Sequence, residues 1–134
     1  MANTLYPKGK EKILSGGINY AADTLRAVLV SNAYAYSTNH EFLSDLGANV
    51  LGEAKDLTSK TVTSGVFDAD DLTFAALVAG STVKAIVIYK DTGVAGTSPL
   101  LHYLDTVTGL PLVTTGADIK IQWDSGTNKI FALA

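Results

Sequence analysis

The chain has 134 residues, the size of one domain, and no cysteine, which removes disulfide frameworks and thiolate metal sites. Charged residues make up 17% of it and hydrophobic ones 47%, with a net charge of -3, a balance that excludes a disordered chain. The 10 Lys and Arg form no long basic run, so no nucleic-acid partner is expected. No apolar stretch reaches about 18 residues, so no membrane span is expected, and the start lacks an apolar core of signal-peptide length, so secretion is not expected either. The polar surface leans on 15 Thr, 9 Ser and 6 Asn. A weakly charged surface of this kind suits a sheet protein packed among other protein copies.

In chain order, Pro7 fits a first helical position and Gly16 or Gly17 a helix end, which predicts a short helix near 8–15. Such a helix is too short to stand alone, so Leu5, Tyr6, Ile13 and Leu14 must dock it, on its own core or on a neighbouring subunit. Residues 24–30 alternate as a strand, with Leu25, Ala27 and Leu29 on one face and Arg26, Val28 and Val30 on the other. Thr38 to Glu41 has the spacing of a capping box, and with Phe42, Leu43 and Leu46 it predicts a second short helix at 39–46. Strands are expected at 50–54, 60–67 and 71–78, punctuated by Gly52, Gly65 and Gly80. Residues 83–89 are apolar on both faces apart from Lys84, which predicts a central strand between packed layers. A loop from Asp91 to Pro99, a strand at 100–104 and a loop at 109–116 follow. Strands at 119–123 and 129–133 close the chain, joined by a hairpin loop at 124–128. Short strands spaced by turns, with no alternating long helices, predict an all-β fold, a mainly antiparallel sandwich or barrel, jelly-roll-like, with one or two short helices. Residues 1–134 are read as a single β domain with 1–16 as an N-terminal arm containing the first helix.

The search for reactive groups finds turns and core residues. Asp91-Thr92-Gly93 after an apolar strand matches the triplet of retroviral-type dimeric aspartic proteases, in which two carboxylates share a proton. Lys90 and the lack of a partner motif near the C-terminus favour plain turn chemistry instead. Asp68, Asp70 and Asp71 offer clustered carboxylates of the kind that bind calcium, yet the full loop pattern is absent and an acidic turn is the simpler reading. His40 is expected exposed in a helix's first turn, and His102 is expected as a satisfied structural histidine within a strand. Trp123 reads as a core residue, with a sugar platform built with Tyr89 and Tyr103 as the alternative. Tyr34 and Tyr36 offer a contact surface or a cover for the core edge. There is no Gly-x-Ser-x-Gly elbow and no phosphate loop. No catalytic residue, metal site or cofactor is expected, and the protein is read as non-enzymatic.

Several stretches carry a resemblance. They are the opening Leu5 to Gly16, Leu25 to Val30, His40 to Asp45, Lys60 to Phe74, Ile88 to Leu100, and Gln122 to Phe131. Together they span nearly the whole chain and resemble a group of small tailed-bacteriophage virion proteins, similar to capsid decoration (cement) proteins. The resemblance implies a structural protein on the outer surface of the capsid, made in the host cytoplasm. It implies the major capsid protein as partner and self-association, with a homotrimer expected. A tail, baseplate or fibre-associated component contacting the host surface is the alternative. The partner contacts are expected from the N-terminal arm and the 32–39 loop, through exposed Leu5, Tyr6, Tyr34 and Tyr36 beside the basic trio Lys8, Lys10 and Lys12.

Overall fold

A computed structural model describes residues 4–64, 66–74, 79–105, 110, 112–121, 123 and 131–132. The fold is all-β, with antiparallel pairing throughout the described strands. The elements are β1 (Thr4–Leu5), α1 (Pro7–Leu14), β2 (Leu25–Ser31), a 3₁₀ turn (Leu43–Asn49), β3 (Val50–Asp56), β4 (Thr61–Thr63), β5 (Val66–Asp68) and β6 (Leu72–Phe74). They continue with β7 (Thr82–Lys90), a 3₁₀ turn (Ala95–Thr97), β8 (Leu100–Leu104), β9 (Leu112–Val113), β10 (Ile119–Ile121) and β11 (Phe131–Ala132).

The main sheet runs in the order β1-β8-β7-β2-β3, with β9 also pairing β7. β2 fills one edge of β7 as far as Val83, so β9 continues on the other edge, past the end of β8. Two smaller sheets, β10-β6 and β11-β5-β4, complete the strand set. The pairing of β2 with β3 is irregular: while β2 goes from Ala27 to Leu29, its partner goes from Lys55 to Leu51. Gly52, inside that excess, has φ +72. β3 is thus a bulged edge strand.

The alternation read in β2 is realised. Leu25, Ala27 and Leu29 join Ile86, Ile88 and Leu101 in one core, which takes in Phe67, Phe74, Ile119, Ile121 and Trp123 from outside the main sheet. Val28 and Val30 face a second core with Ala85, Val87, Leu100 and Tyr103, closed by Tyr6, Tyr34 and Leu46. β7 contributes to both, so its lack of a polar face follows from its central place.

The first helix forms where expected, with Pro7 in its first turn and Gly16 at φ +81 beyond its end. It docks on its own sheet. Gly9 is buried against β8, where a Cβ would stand 2.5 Å from the Leu100 carbonyl oxygen. Gly9→Ala should therefore lower stability by about 1–3 kcal/mol through backbone overpacking. Helix propensity alone would raise it by about 1 kcal/mol. Urea midpoints for the two proteins decide the sign.

Beyond small shifts at strand ends, the structure differs from the sequence reading in four places. The second helix is a 3₁₀ turn at Leu43–Asn49 rather than a helix at 39–46. Thr38 does not start it. Instead the Asp45 carboxylate accepts from the N–H groups of Glu41 (2.8 Å) and Phe42 (3.0 Å) and holds the chain extended until Leu43. The expected strand at 60–67 is two strands, with Thr63 opposite Val66 and Ser64 in the left-handed region at φ 51. The 109–116 segment, expected as loop, holds β9. Finally, β10 pairs β6 and β11 pairs β5, and among the described residues the two closing strands are not paired with each other. The 124–128 loop and residues 75–78 of the expected 71–78 strand lie outside the described residues.

Candidate functional site

The residues expected to reach a partner divide into two groups. Tyr6 is 0% exposed and Tyr34 2% exposed, while Leu5 and Tyr36 are half-buried. The expectation that these four project outward is therefore corrected. β1 pairs with β8, and Tyr6, whose N–H donates to the Leu101 carbonyl at 2.9 Å, turns onto the main sheet. The 32–39 loop folds over the same face. Tyr34 and Tyr36 are two residues apart and alternate with Ala33 and Ala35. Both rings reach Tyr103, with centres at 6.0 and 5.3 Å.

The result is an aromatic cluster. The rings of Tyr6 and Tyr36 lie 4.9 Å apart, and those of Tyr36 and Tyr103 lie 5.3 Å apart. Tyr6 meets Tyr103 edge-on at 6.5 Å. The hydroxyls are linked: Tyr6 to Tyr34 at 2.7 Å, and Tyr34 to Nδ1 of His40 at 2.7 Å. The Tyr36 hydroxyl donates to the Leu5 carbonyl at 3.2 Å, and the Lys84 ammonium to the Tyr34 carbonyl at 3.1 Å. Burial, reinforced by the hydrogen bond to Tyr34, pushes the Tyr6 phenol far above its usual range. Burial raises Tyr34 to about 12. Both phenols stay neutral at any physiological pH. Sequence reasoning missed Tyr103 and His40 as members. His40 is half-buried in the loop rather than exposed in a helical turn.

The lysines form the outward group. Lys8 pairs with Glu11 at 3.3 Å, and Lys12 with Glu41 at 3.5 Å while standing 5.8 Å from the centre of the Phe42 ring. Lys10 is exposed. Positions 8 and 12 share a helix face and position 10 lies on another, so the trio is not one basic patch. The helix ends in Leu14, which is 87% exposed. Val62 on β4, Val94 in the 91–99 loop and Val113 on β9 are also exposed.

The other candidates lie in turns and in the cores. Asp91 Oδ1 accepts from the Gly93 N–H at 2.9 Å, and Arg26 lies 3.8 Å from Oδ2. The Ser98 hydroxyl, buried beneath, accepts from the Thr92 N–H at 3.1 Å. The triplet is a turn held against the start of β2, where the Asp91 N–H donates to the Thr24 carbonyl at 2.9 Å. In the acidic segment, Asp71 Oδ1 accepts the Trp123 backbone N–H (3.0 Å) and the Asp70 carbonyl accepts its indole N–H (2.9 Å). Among the described residues no group of three or more His, Cys, Asp or Glu could hold a metal ion. Trp123 belongs to one core and Tyr89 and Tyr103 to the other, so they cannot form one sugar platform. His102 is buried and paired with the Tyr20 hydroxyl at 2.7 Å, as a satisfied structural histidine should be. Compared with known proteins, the chain matches no family model and no curated sequence.

Proposed function

We propose that this protein is a structural component of a tailed-bacteriophage virion, a decoration protein that binds the outer surface of the capsid and stabilises the shell of major capsid protein. The observation that carries the reading is how the chain divides its chemistry. All six tyrosines and both histidines are committed to internal packing or hydrogen bonding. The exposed apolar side chains Leu14, Val62, Val94 and Val113 stand on four separate elements. Such a body acts through surface and shape. Several weak contacts made at once give avidity without a tight single site, and binding only the assembled lattice stabilises it by linkage. The resemblance of stretches from Leu5 to Phe131 supports the same reading. They fall on α1, β2 and the strands of the smaller sheets as well as on loops. Self-association into a trimer matches the symmetry axes of a shell.

The test uses shells assembled from the major capsid protein of the same virus. Wild-type protein should co-sediment with them and appear in many copies over the head by electron microscopy. The double substitution Lys10→Glu with Leu14→Asp changes two exposed positions of α1 and should leave the fold intact. Binding should fall at least tenfold, since losses at each contact compound through avidity. Undiminished binding removes α1 from the interface. Failure of the wild type to bind shells, or a few copies at the tail, overturns the decoration role and favours a tail component.

A further inference from the structure

Residues 17–24 form no helix or strand. Ile18 and Tyr20 pack against the core that holds Leu25 and Phe67. Tyr20 stands edge-on to Phe67 at 4.8 Å, and its hydroxyl lies 2.7 Å from Nε2 of His102. His102 sits in the middle of β8, opposite Leu5 of β1 and Ile88 of β7, and is 2% exposed. The ends of the segment are tied separately. Lys90 donates to the Gly17 carbonyl at 3.1 Å and pairs with the Asp23 carboxylate at 3.2 Å, and Lys60 donates to the Asp23 carbonyl.

We propose that residues 17–24 are an acid-released strap: protonation of His102 drives Tyr20 from its seat while the main sheet stays folded. An imidazolium at this place is a buried charge, which is costly until water reaches it. β1 and β7 present Leu5 and Ile88 to it, and both strands are held in the sheet ladder. The strap presents the Tyr20 phenol, which burial holds neutral, and it has no ladder to lose. Of these described neighbours it is the one that can yield to water.

The direction follows from linkage. Burial lowers the strapped histidine to about 3, whereas a released one takes its proton near 6.5. The hold of the strap is complete above about pH 6.5 and weakens about tenfold per unit as pH falls from there toward 3. The anchor does not titrate in the upper part of that window. Asp23 is held below the ordinary carboxylate range, chiefly because the Asn19 N–H donates to it at 2.7 Å. The inference stands apart from the virion reading.

Amide hydrogen exchange of the full chain from pH 7 to 5, corrected for intrinsic rates, tests it. Opening of residues 17–24 should rise about fifteenfold between pH 6.5 and 5 while β7 and β8 stay protected. His102→Gln retains a hydrogen-bonding side chain for Tyr20 and should remove the rise. Should that variant fail to fold, the wild-type histidine signals in a nuclear magnetic resonance titration decide instead. His102 protonation and strap release should share one midpoint. A flat strap in the wild type, a rise that persists in the variant, strap and β7 opening together, or a protonated His102 beneath a closed strap overturns the proposal.

Discussion

Tyr6→Ala should destabilise the fold by about 3–5 kcal/mol, the range for removing a buried aromatic side chain. The effect is large because one residue serves three elements. Its backbone continues the pairing of β1 with β8. Its ring fills the space between Tyr36 and Tyr103, and its hydroxyl ends the hydrogen-bonded line through Tyr34 to His40. Tyr6→Phe keeps the ring and loses one hydrogen bond, so it should cost only about 1 kcal/mol; Tyr34 still has His40. Equilibrium urea unfolding, followed through the single tryptophan, separates the two substitutions. Equal losses would place the stabilisation in the hydroxyl rather than in the packed ring.

Trp123→Ala should be comparably severe, about 3–5 kcal/mol. The indole is nearly fully buried among Phe67, Phe74 and Ile121; its N–H donates to the Asp70 carbonyl and the Trp123 backbone N–H to the Asp71 carboxylate. Asp71→Ala should cost about 1 kcal/mol, because it removes the acceptor of a partly buried backbone N–H. Circular dichroism during urea unfolding reports both. In the wild type, tryptophan emission should be that of a buried indole and should move to longer wavelength on unfolding. Native emission already at the solvent-exposed position would contradict the burial of Trp123.

What the sequence made legible is what periodicity and punctuation encode. The two-faced β2, the central β7 and the Pro-to-Gly helix each announce themselves within a short window. The DTG turn was legible from its Asp and Gly, and the buried place of His102 from its position between Leu101 and Tyr103 in a strand. The misreadings are long-range. Asp45 overrides Thr38 as the stop before the 3₁₀ turn because its carboxylate reaches back to the N–H groups of Glu41 and Phe42, which leaves the Thr38 spacing unused. Tyr6 and Tyr34 lie 28 positions apart, and both meet Tyr103 much later in the chain. Only folding places the three together, so loop aromatics that looked like docking anchors became a lock on the sheet. The Ala-Tyr-Ala-Tyr alternation was the one local sign of it.

The bulge in β3 bears on how copies can crowd together. A straight, unpaired strand edge invites the next molecule to extend the ladder, and in a dense array that route ends in fibres. Here one border of the main sheet is bent at Gly52 and the other is a two-residue strand. Neighbours pressed side by side meet through side chains and remain separable bodies. A molecule built this way can reach high local concentration without adding strand to strand.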